Sequence, residues 1–275
     1  MSRAVRVALE ALVLDTAVGR KPGVVDRYHD HPDQRADQFV AGALGAMDGL
    51  TAAADDGPLG AAFHTAVAGM VEAAGTNTHF GSLLLLIPLV RAAAEDRLDP
   101  QGVEAVLAAT TVEDAVAFLD ALRVVDVRLA PIGEDAAALD AADPGRAIAT
   151  VERERLTWTD LLARSPVDAN AAIWHSGFTP VFETADRFAR SLPLGPQIPA
   201  VFTETLQRHR DSHIIASHGE GTARWVQHLA AHARSLAHLD AQLRARGVSP
   251  GATADHVTAA VFIERIHREG DTDGP

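Results

Sequence analysis

Cysteine is absent from the 275-residue sequence, and lysine is almost absent. Without cysteine, the chain has no disulfide, no thiol nucleophile and no Cys-ligated zinc or iron–sulfur site. Lys21 is the only lysine among 24 basic residues, so arginine supplies nearly every cation. A lone lysine is a candidate for a role that a compact ammonium fills better than a planar guanidinium, although chance explains it equally well.

Long apolar runs are also missing. The longest, at 83–90, is roughly half or less of the length that a bilayer span requires. The short apolar pairs near the start of the chain are interrupted by Arg3, Arg6 and Glu10, which is unlike a secretory signal. The sequence therefore predicts a cytoplasmic protein with no membrane partner.

Basic charge is scarce relative to acidic charge, and the formal net charge is −13. A surface this negative repels nucleic-acid phosphates and anionic lipid, so we expect neither as the main partner. An anionic substrate would then need a local cluster of basic groups. Hydrophobic residues make up 47% of the chain, which is enough to bury a sizeable core at this length.

Apolar residues recur at helical spacing along nearly the whole chain. Val112, Val116 and Leu119 form one such face, and 225–243 carries a longer one that predicts a single helix of about twenty residues. Runs that alternate apolar and polar residues are scarce. We therefore expect an all-α fold: a single large helical domain, a multi-helix bundle over residues 1–268, followed by a polar C-terminal tail at 269–275.

The segment 20–33 interrupts this helical pattern with charged residues, two histidines and the only tyrosine. Lys21 stands before a Pro-Gly turn that contains Gly23, an arrangement suited to holding a phosphate. Asp26 is suited to ligating Mg²⁺, and Arg27 to binding phosphate oxygens. A charged surface loop before a helix has the same composition, so both interpretations stay open.

The segment 75–82 leads directly into the apolar run and contains Asn77, Thr78, His79 and Gly81. The free N–H groups at such a helix start suit an anion or a carboxamide-like ligand. A helix cap with a structural, buried histidine is the competing interpretation.

A third polar segment, 249–255, also opens a helix. Asp255 falls in its first turn, where a carboxylate is favourable for helix-dipole reasons alone.

Together these segments resemble the signature of the triphosphoribosyl-dephospho-CoA synthase family. The Lys-Pro-Gly turn at 21–23, the pair at 26–27 and the Asn-Thr-His-x-Gly block at 77–81 follow one another as in that family. The segment 249–255 resembles the family's closing motif, and Asp15 takes the place of an acidic residue on its first helix. The pattern is closer to an archaeal-type branch.

The resemblance implies a transferase that moves the triphosphoribosyl group of ATP onto dephospho-CoA and releases adenine, in the synthesis of a prosthetic-group precursor. It implies ATP and dephospho-CoA as small-molecule partners and Mg²⁺ as cofactor. The sequence leaves a homo-oligomer open.

The resemblance also assigns roles to individual residues. In the nucleotide site it places Lys21, Gly23, Arg27, Thr78, Gly81 and Asp255. The catalytic candidates are His79 as general base, Asn77 as an orienting group and Asp26; the Mg²⁺ candidates are Asp26 and Asp255.

Two departures from the family pattern keep other functions open. The usual histidine and acid after the Asp-Arg pair are altered, so the candidates to replace them are His29, His31, Asp33 and Asp37. Phe80 stands where the family has a lysine, which weakens the phosphate contact there. The alternatives are ATP-dependent ribosyl transfer to a different acceptor, a nucleotide-binding helical protein without turnover, and a purely structural bundle.

Overall fold

The computed structural model describes residues 1–125, 144–164 and 168–272. Within these ranges the chain forms sixteen α-helices and no β-strand. In chain order they are α1 (Arg3–Ala17), α2 (Ala36–Gly45), α3 (Met47–Ala54), α4 (Leu59–Ala74), α5 (Phe80–Ala94), α6 (Pro100–Ala108), α7 (Val112–Ala121), α8 (Pro144–Glu154), α9 (Trp158–Ala163), α10 (Ala169–His175), α11 (Thr179–Ala185), α12 (Leu194–Arg208), α13 (Ser212–His218), α14 (Glu220–His232), α15 (Leu236–Arg244) and α16 (Gly251–Thr272). The prediction of an all-α, single-domain fold is confirmed.

The centre of the molecule is α5, which contains the longest apolar run of the sequence. Leu83 and Leu85 are both fully buried, although they point to nearly opposite sides of the helix. A helix that is apolar all round must be enclosed by other elements, and α1, α3, α4 and α16 pack around it. In the described part of the chain, no helix combines the length and apolarity needed to cross a membrane.

Helices α2 and α3 approach α4 closely because glycines face the contact. A Cβ on Gly45 would overlap the backbone carbonyl of Gly69, and one on Gly49 would overlap the backbone of Ala66. This crossing fixes the position of α4. The C-terminal end of α4 leads at Gly75 directly into the polar segment 75–82.

The helix predicted over 225–243 is broken into α14 and α15. Ser235 caps α15 by accepting a hydrogen bond from the backbone N–H of His238 at 3.2 Å. A capping serine is a helix-start signal that apolar spacing alone does not register. The prediction of one continuous helix was therefore wrong, although Leu239 and Leu243 are buried as that pattern requires.

The last helix, α16, continues to Thr272, past the predicted start of the polar tail at 269. Glu269 pairs with Arg6 of α1 at 2.5 Å, and Arg265 pairs with Glu10 of α1 at 2.7 Å. The polar residues at this end therefore hold α16 against α1, which composition does not reveal. The rest of the predicted tail, 273–275, lies outside the described residues.

Candidate functional site

A cavity of about 600 Å³ lies where the N-terminal ends of α5, α10 and α16 meet. The side chains of its wall are of two kinds. The polar ones include Asp15, Asn77, Thr78, Asp168, Asn170, Ser212, His213 and Asp255. The apolar ones include Phe80, Leu84, Phe118, Leu119, Leu161 and Leu162. Such a mixture is typical of a small-molecule site, where a few polar groups orient a ligand against an apolar surface.

Asp255 joins the three helix starts. Its Oδ1 accepts a hydrogen bond from Ser82 Oγ at 2.7 Å, and its Oδ2 accepts one from Asn170 Nδ2 at 3.2 Å. Gly81 leaves the space for this arrangement, because a Cβ there would overlap both the Asp255 carboxylate and the Asn170 amide. Of the two glycines in the segment 75–82, Gly81 is therefore the one that packing around Asp255 requires.

Carboxylates dominate the electrostatics of this region. Desolvation raises the pKa of Asp255 from 3.8 to about 7; the hydrogen bonds from Ser82 and Asn170 lower it, and the charges of Asp15 and Asp211 raise it. Desolvation also raises the pKa of Asp168 and of Asp211. Burial therefore makes ionisation of these carboxylates costly, and a cationic group placed beside them would favour their charged form.

Asp211 anchors the start of α16. Its Oδ2 accepts hydrogen bonds from the backbone N–H of Thr253 at 2.7 Å and from the Thr253 hydroxyl at 2.8 Å. Its Oδ1 accepts the backbone N–H of Ile214 at 3.0 Å and so caps α13. These bonds hold the segment 249–255 in place, so Asp211 positions the cavity wall without being part of it.

Lys21 lies behind the cavity wall. Its side chain is 1% exposed, and its ammonium pairs with Asp15 and stands 5.6 Å from the centre of the Phe202 ring. Asp15, in contrast, lines the cavity and also accepts a hydrogen bond from Thr258 Oγ1 at 3.3 Å. A buried ammonium needs such a carboxylate partner. In this structure the Lys21 ammonium is therefore occupied by Asp15 and does not face the cavity.

Asp26 and Arg27 are also outside the cavity wall. The buried Asp26 carboxylate accepts the backbone N–H groups of Tyr28 at 2.8 Å and of Lys21 at 3.3 Å, so it closes the turn. The exposed Arg27 guanidinium stacks over the Tyr28 ring at 5.2 Å. Gly23, at φ +80°, donates its N–H to Asp240 at 3.0 Å. These geometries favour a structural turn and give no support to Asp26 as a metal ligand.

His79 occupies the N-cap position of α5 and is buried. Its Nε2 is 2.8 Å from the carbonyl oxygen of Phe39. Because a carbonyl only accepts, Nε2 carries the proton and Nδ1 of the neutral ring is an acceptor. Desolvation lowers the pKa of His79, although the charge of Asp15 opposes this. The ring does not line the cavity, so the geometry supports the structural interpretation of His79 over the general base.

Comparison with known proteins gives the family. The CitG family model, described as ATP:dephospho-CoA triphosphoribosyl transferase, matches residues 1–273. The chain belongs to this triphosphoribosyl transferase family. A crystal structure from Archaeoglobus fulgidus, assigned as a triphosphoribosyl-dephospho-CoA synthase, is similar to the chain with a TM-score of 0.69 and 21% sequence identity, over 82% of this chain and 98% of that one. A search of curated proteins gave no match.

The family membership confirms the function predicted from the motifs, a transferase that acts on ATP and dephospho-CoA. Within this triphosphoribosyl transferase, the cavity brings together four of the predicted site residues: Asn77, Thr78, Gly81 and Asp255. The predicted residues that do not line it are Lys21, Gly23, Asp26, Arg27 and His79.

Of the residues that were candidates to replace the family's histidine and acid, His31 and Asp33 line the cavity of the transferase, whereas His29 and Asp37 do not. His31 Nε2 donates to the carbonyl oxygen of Gly23 at 2.8 Å, which links the turn at 21–27 to the wall. Of the two acidic candidates, Asp33 therefore lies in the cavity wall and Asp37 lies on the surface.

Sequence reasoning missed Asp168 and Asn170, which line the wall from the start of α10. Asp168 caps this helix by accepting the backbone N–H of Ala171 at 2.9 Å. An Asp-x-Asn start is an ordinary helix-cap signal in the sequence. Nothing in the sequence indicates that this particular cap lies against α5 and α16.

Proposed function

We propose that the cavity is the active site, where the triphosphoribosyl group passes from ATP to a hydroxyl of dephospho-CoA and adenine is released. The observation that carries this proposal is the meeting of three distant segments, 76–81, 168–171 and 249–255, at one cavity around Asp255. Two of these segments are the ones that carry the family motifs. Their polar groups converge on a single space of ligand size.

The reaction breaks the bond between ribose C1′ and adenine and forms a bond between C1′ and the acceptor oxygen. The bonding electron pair leaves with adenine, and the hydroxyl gives up its proton. Positive charge develops on the ribose between these two events, as it does in glycoside hydrolysis. We assign Asp255 to face this charge, because it lines the cavity and is held by Ser82 and Asn170.

The triphosphate requires cations, because the wall itself is acidic. Arg164 and His213 are cationic or titratable groups of the wall, and Arg164 is already paired with Glu154 at 3.0 Å. Within the described residues no three His, Asp or Glu side chains form a metal-binding group by themselves. Mg²⁺ is, however, often held by one or two carboxylates together with substrate phosphates. Asp15 is a better candidate for such a Mg²⁺ ligand than Asp26, because Asp15 lines the cavity and Asp26 does not. Mg²⁺ bound there would neutralise charge on the triphosphate.

Phe80 changes the character of the wall where the family has a lysine. Its ring is 5.2 Å from the ring of Phe63 and 6.2 Å from that of Phe118, measured between ring centres. Position 80 therefore supplies an aromatic surface, and any phosphate contact must come from elsewhere. Such a surface suits a purine base or the apolar part of a pantetheine arm.

The test is to incubate the purified protein with ATP, Mg²⁺ and dephospho-CoA, and to follow adenine and the CoA adduct by chromatography with mass detection. We expect both products from the wild type and from Asp120→Asn, a variant of a partly exposed residue whose carboxylate pairs with Arg123. We expect Asp255→Asn to form both products more slowly, by about 100-fold or more. Full activity in Asp255→Asn would refute the assignment of the cavity.

The second candidate function, transfer to a different acceptor, is favoured by the two departures from the family pattern, Phe80 and the altered histidine and acid after the Asp-Arg pair. It predicts that adenine appears without the mass of triphosphoribosyl-dephospho-CoA. The same chromatogram therefore separates the two functions.

A further inference from the structure

Asn170, a residue of the cavity wall, has a buried hydrogen-bond acceptor without a partner in the described part of the chain. The residue is 7% exposed and lines the cavity, and its Oδ1 has no hydrogen-bond partner within the described residues. Leaving a buried amide oxygen unpaired is costly, so a folded protein rarely does so without a reason. A ligand that donates a hydrogen bond at this point would remove the penalty.

The orientation of the Asn170 amide is fixed by its neighbour. Nδ2 donates to Asp255 Oδ2 at 3.2 Å, which is the arrangement that the ionised carboxylate requires above its pKa of about 7, because it can then only accept. The carboxylate is held in turn by Ser82 at 2.7 Å. With the nitrogen committed in this way, the group that Asn170 has left to offer a ligand is its oxygen.

Asn170 and Asp255 therefore present two neighbouring acceptors, and two acceptors are complementary to two neighbouring donors. Phosphate oxygens and the ring nitrogens of adenine are acceptors, which excludes them as partners here. The compact pair of donors in a nucleotide is the vicinal diol of ribose, and carboxylates commonly bind ribose hydroxyls. The exocyclic amine of adenine is the other donor that the test must separate.

We propose that Asn170 and Asp255 bind the two hydroxyls of a ribose, with Asn170 Oδ1 accepting from one of them. This inference rests on the proposed function, because it takes ATP and dephospho-CoA as the ligands of the cavity. Asn170 is then a binding and specificity residue that no motif of the chain indicates. Both substrates contain a ribose with two free hydroxyls, and the experiment identifies which ribose is bound.

The first measurement uses the wild type alone, by titration calorimetry with Mg²⁺ at about pH 8, where Asp255 is ionised. The ligands are ATP, 2′-deoxy-ATP, 3′-deoxy-ATP and the triphosphate of purine riboside, which lacks the amine. We expect the loss of one hydroxyl to weaken binding roughly tenfold or more, and the loss of the amine to have little effect. If only the amine-free analogue binds weakly, the ribose assignment is wrong.

The second measurement compares Asn170→Ala with the wild type. We expect ATP to bind roughly tenfold more weakly to the variant, and one deoxy analogue to bind almost as well as ATP, because the hydrogen bond is already lost. Ser82→Ala is the matched control: it removes a bond to Asp255 but keeps the Asn170 oxygen, so the preference for ATP over that analogue should persist. If wild type and Asn170→Ala prefer ATP over each deoxy analogue to the same extent, the proposal is contradicted.

Titration with dephospho-CoA gives the source of the ribose. If Asn170→Ala binds only ATP more weakly than the wild type does, the bound ribose is that of the donor. If it binds only dephospho-CoA more weakly, the bound ribose is that of the acceptor. Unchanged binding of both ligands overturns the proposal. Circular dichroism checks whether the variant folds. If it does not, the binding of ATP and its analogues to the wild type decides whether the ribose assignment holds. Adenine release without hydroxyl discrimination would refute this inference alone. Hydroxyl discrimination without adenine release would refute only the proposed function.

Discussion

At the scale of single residues, the site contains carboxylates whose environment opposes their charge. The pKa of Asp255 is raised from 3.8 to about 7, chiefly by desolvation. Between these two values the folded protein binds more protons than the unfolded chain, so the contribution of Asp255 to stability falls as the pH rises through this window. Above about pH 7 the ionised group therefore destabilises the fold. Residues retained at such a cost are typical of functional sites.

Replacing Asp255 by Asn should separate stability from function. The full shift corresponds to roughly 4 kcal/mol, and water in the cavity will reduce it, so we expect a gain of roughly 1–4 kcal/mol in the free energy of unfolding at about pH 8. We expect adenine release to fall by about 100-fold or more. Urea denaturation and product analysis give the two quantities. A variant that is less stable than wild type above pH 7 would show that a cation already balances the carboxylate.

Lys21 offers a second test at this scale. Its ammonium pairs with Asp15 in the core, so Lys21→Met leaves a buried carboxylate without its partner. We expect the free energy of unfolding to fall by about 3–5 kcal/mol, and the double variant Asp15→Asn/Lys21→Met to recover much of this loss without recovering activity. Equal stability of Lys21→Met and wild type would contradict the buried pair.

At the scale of helices, the site is made by three helix starts that meet. The apolar run of α5 and the helical spacing elsewhere were sufficient to predict an all-α fold, and the motifs identified two of the three starts. The start of α10 could not be identified, because its Asp-x-Asn sequence has the form of any capped helix. The burial of Lys21 could not be predicted either, since a Pro-Gly turn has the same sequence whether it faces solvent or the core.

Gly81→Ala tests the meeting of α5 and α16. The new Cβ would overlap the Asp255 carboxylate and the Asn170 amide. We therefore expect adenine release to fall by about tenfold or more, although alanine is the better helix former by about 1 kcal/mol. Gly221→Ala in α14 is the matched control, because a Cβ added there would have no described atom within 4 Å. The Gly221→Ala variant should gain stability and keep full activity. If Gly81→Ala has wild-type activity, the close approach of Gly81 to Asp255 and Asn170 is not needed for the reaction.

At the scale of the whole molecule, stability depends on pH through a buried histidine. His256 of α16 is hydrogen-bonded to Thr184 of α11 at 3.0 Å, and desolvation lowers its pKa from 6.5 to about 4. Between these values the unfolded chain binds more protons than the folded protein. The contribution of His256 to stability is therefore lost as the pH falls from about 6.5 to 4, by roughly 3 kcal/mol.

His256→Gln should reduce this sensitivity to acid. Glutamine cannot be protonated in this range and can still donate to the carbonyl oxygen of Pro180, which accepts from His256 at 3.1 Å in the wild type. We expect a smaller drop in the urea midpoint between about pH 7 and pH 5 than in wild type. The exposed His228 supplies the control His228→Gln, which should behave as wild type. Identical pH profiles for all three proteins would exclude His256 as the cause.

The cavity wall contains residues as far apart in the sequence as Asp15 and Asp255. A polypeptide still emerging from the ribosome therefore cannot form the proposed substrate site until residue 255 has been made and folded. Because substrate binds only the finished form, a nucleotide at 100 times its dissociation constant would stabilise that form by about 2.7 kcal/mol. Cellular ATP would then also stabilise the folded enzyme. When ATP is scarce, a larger fraction of the enzyme would be unfolded and open to proteases.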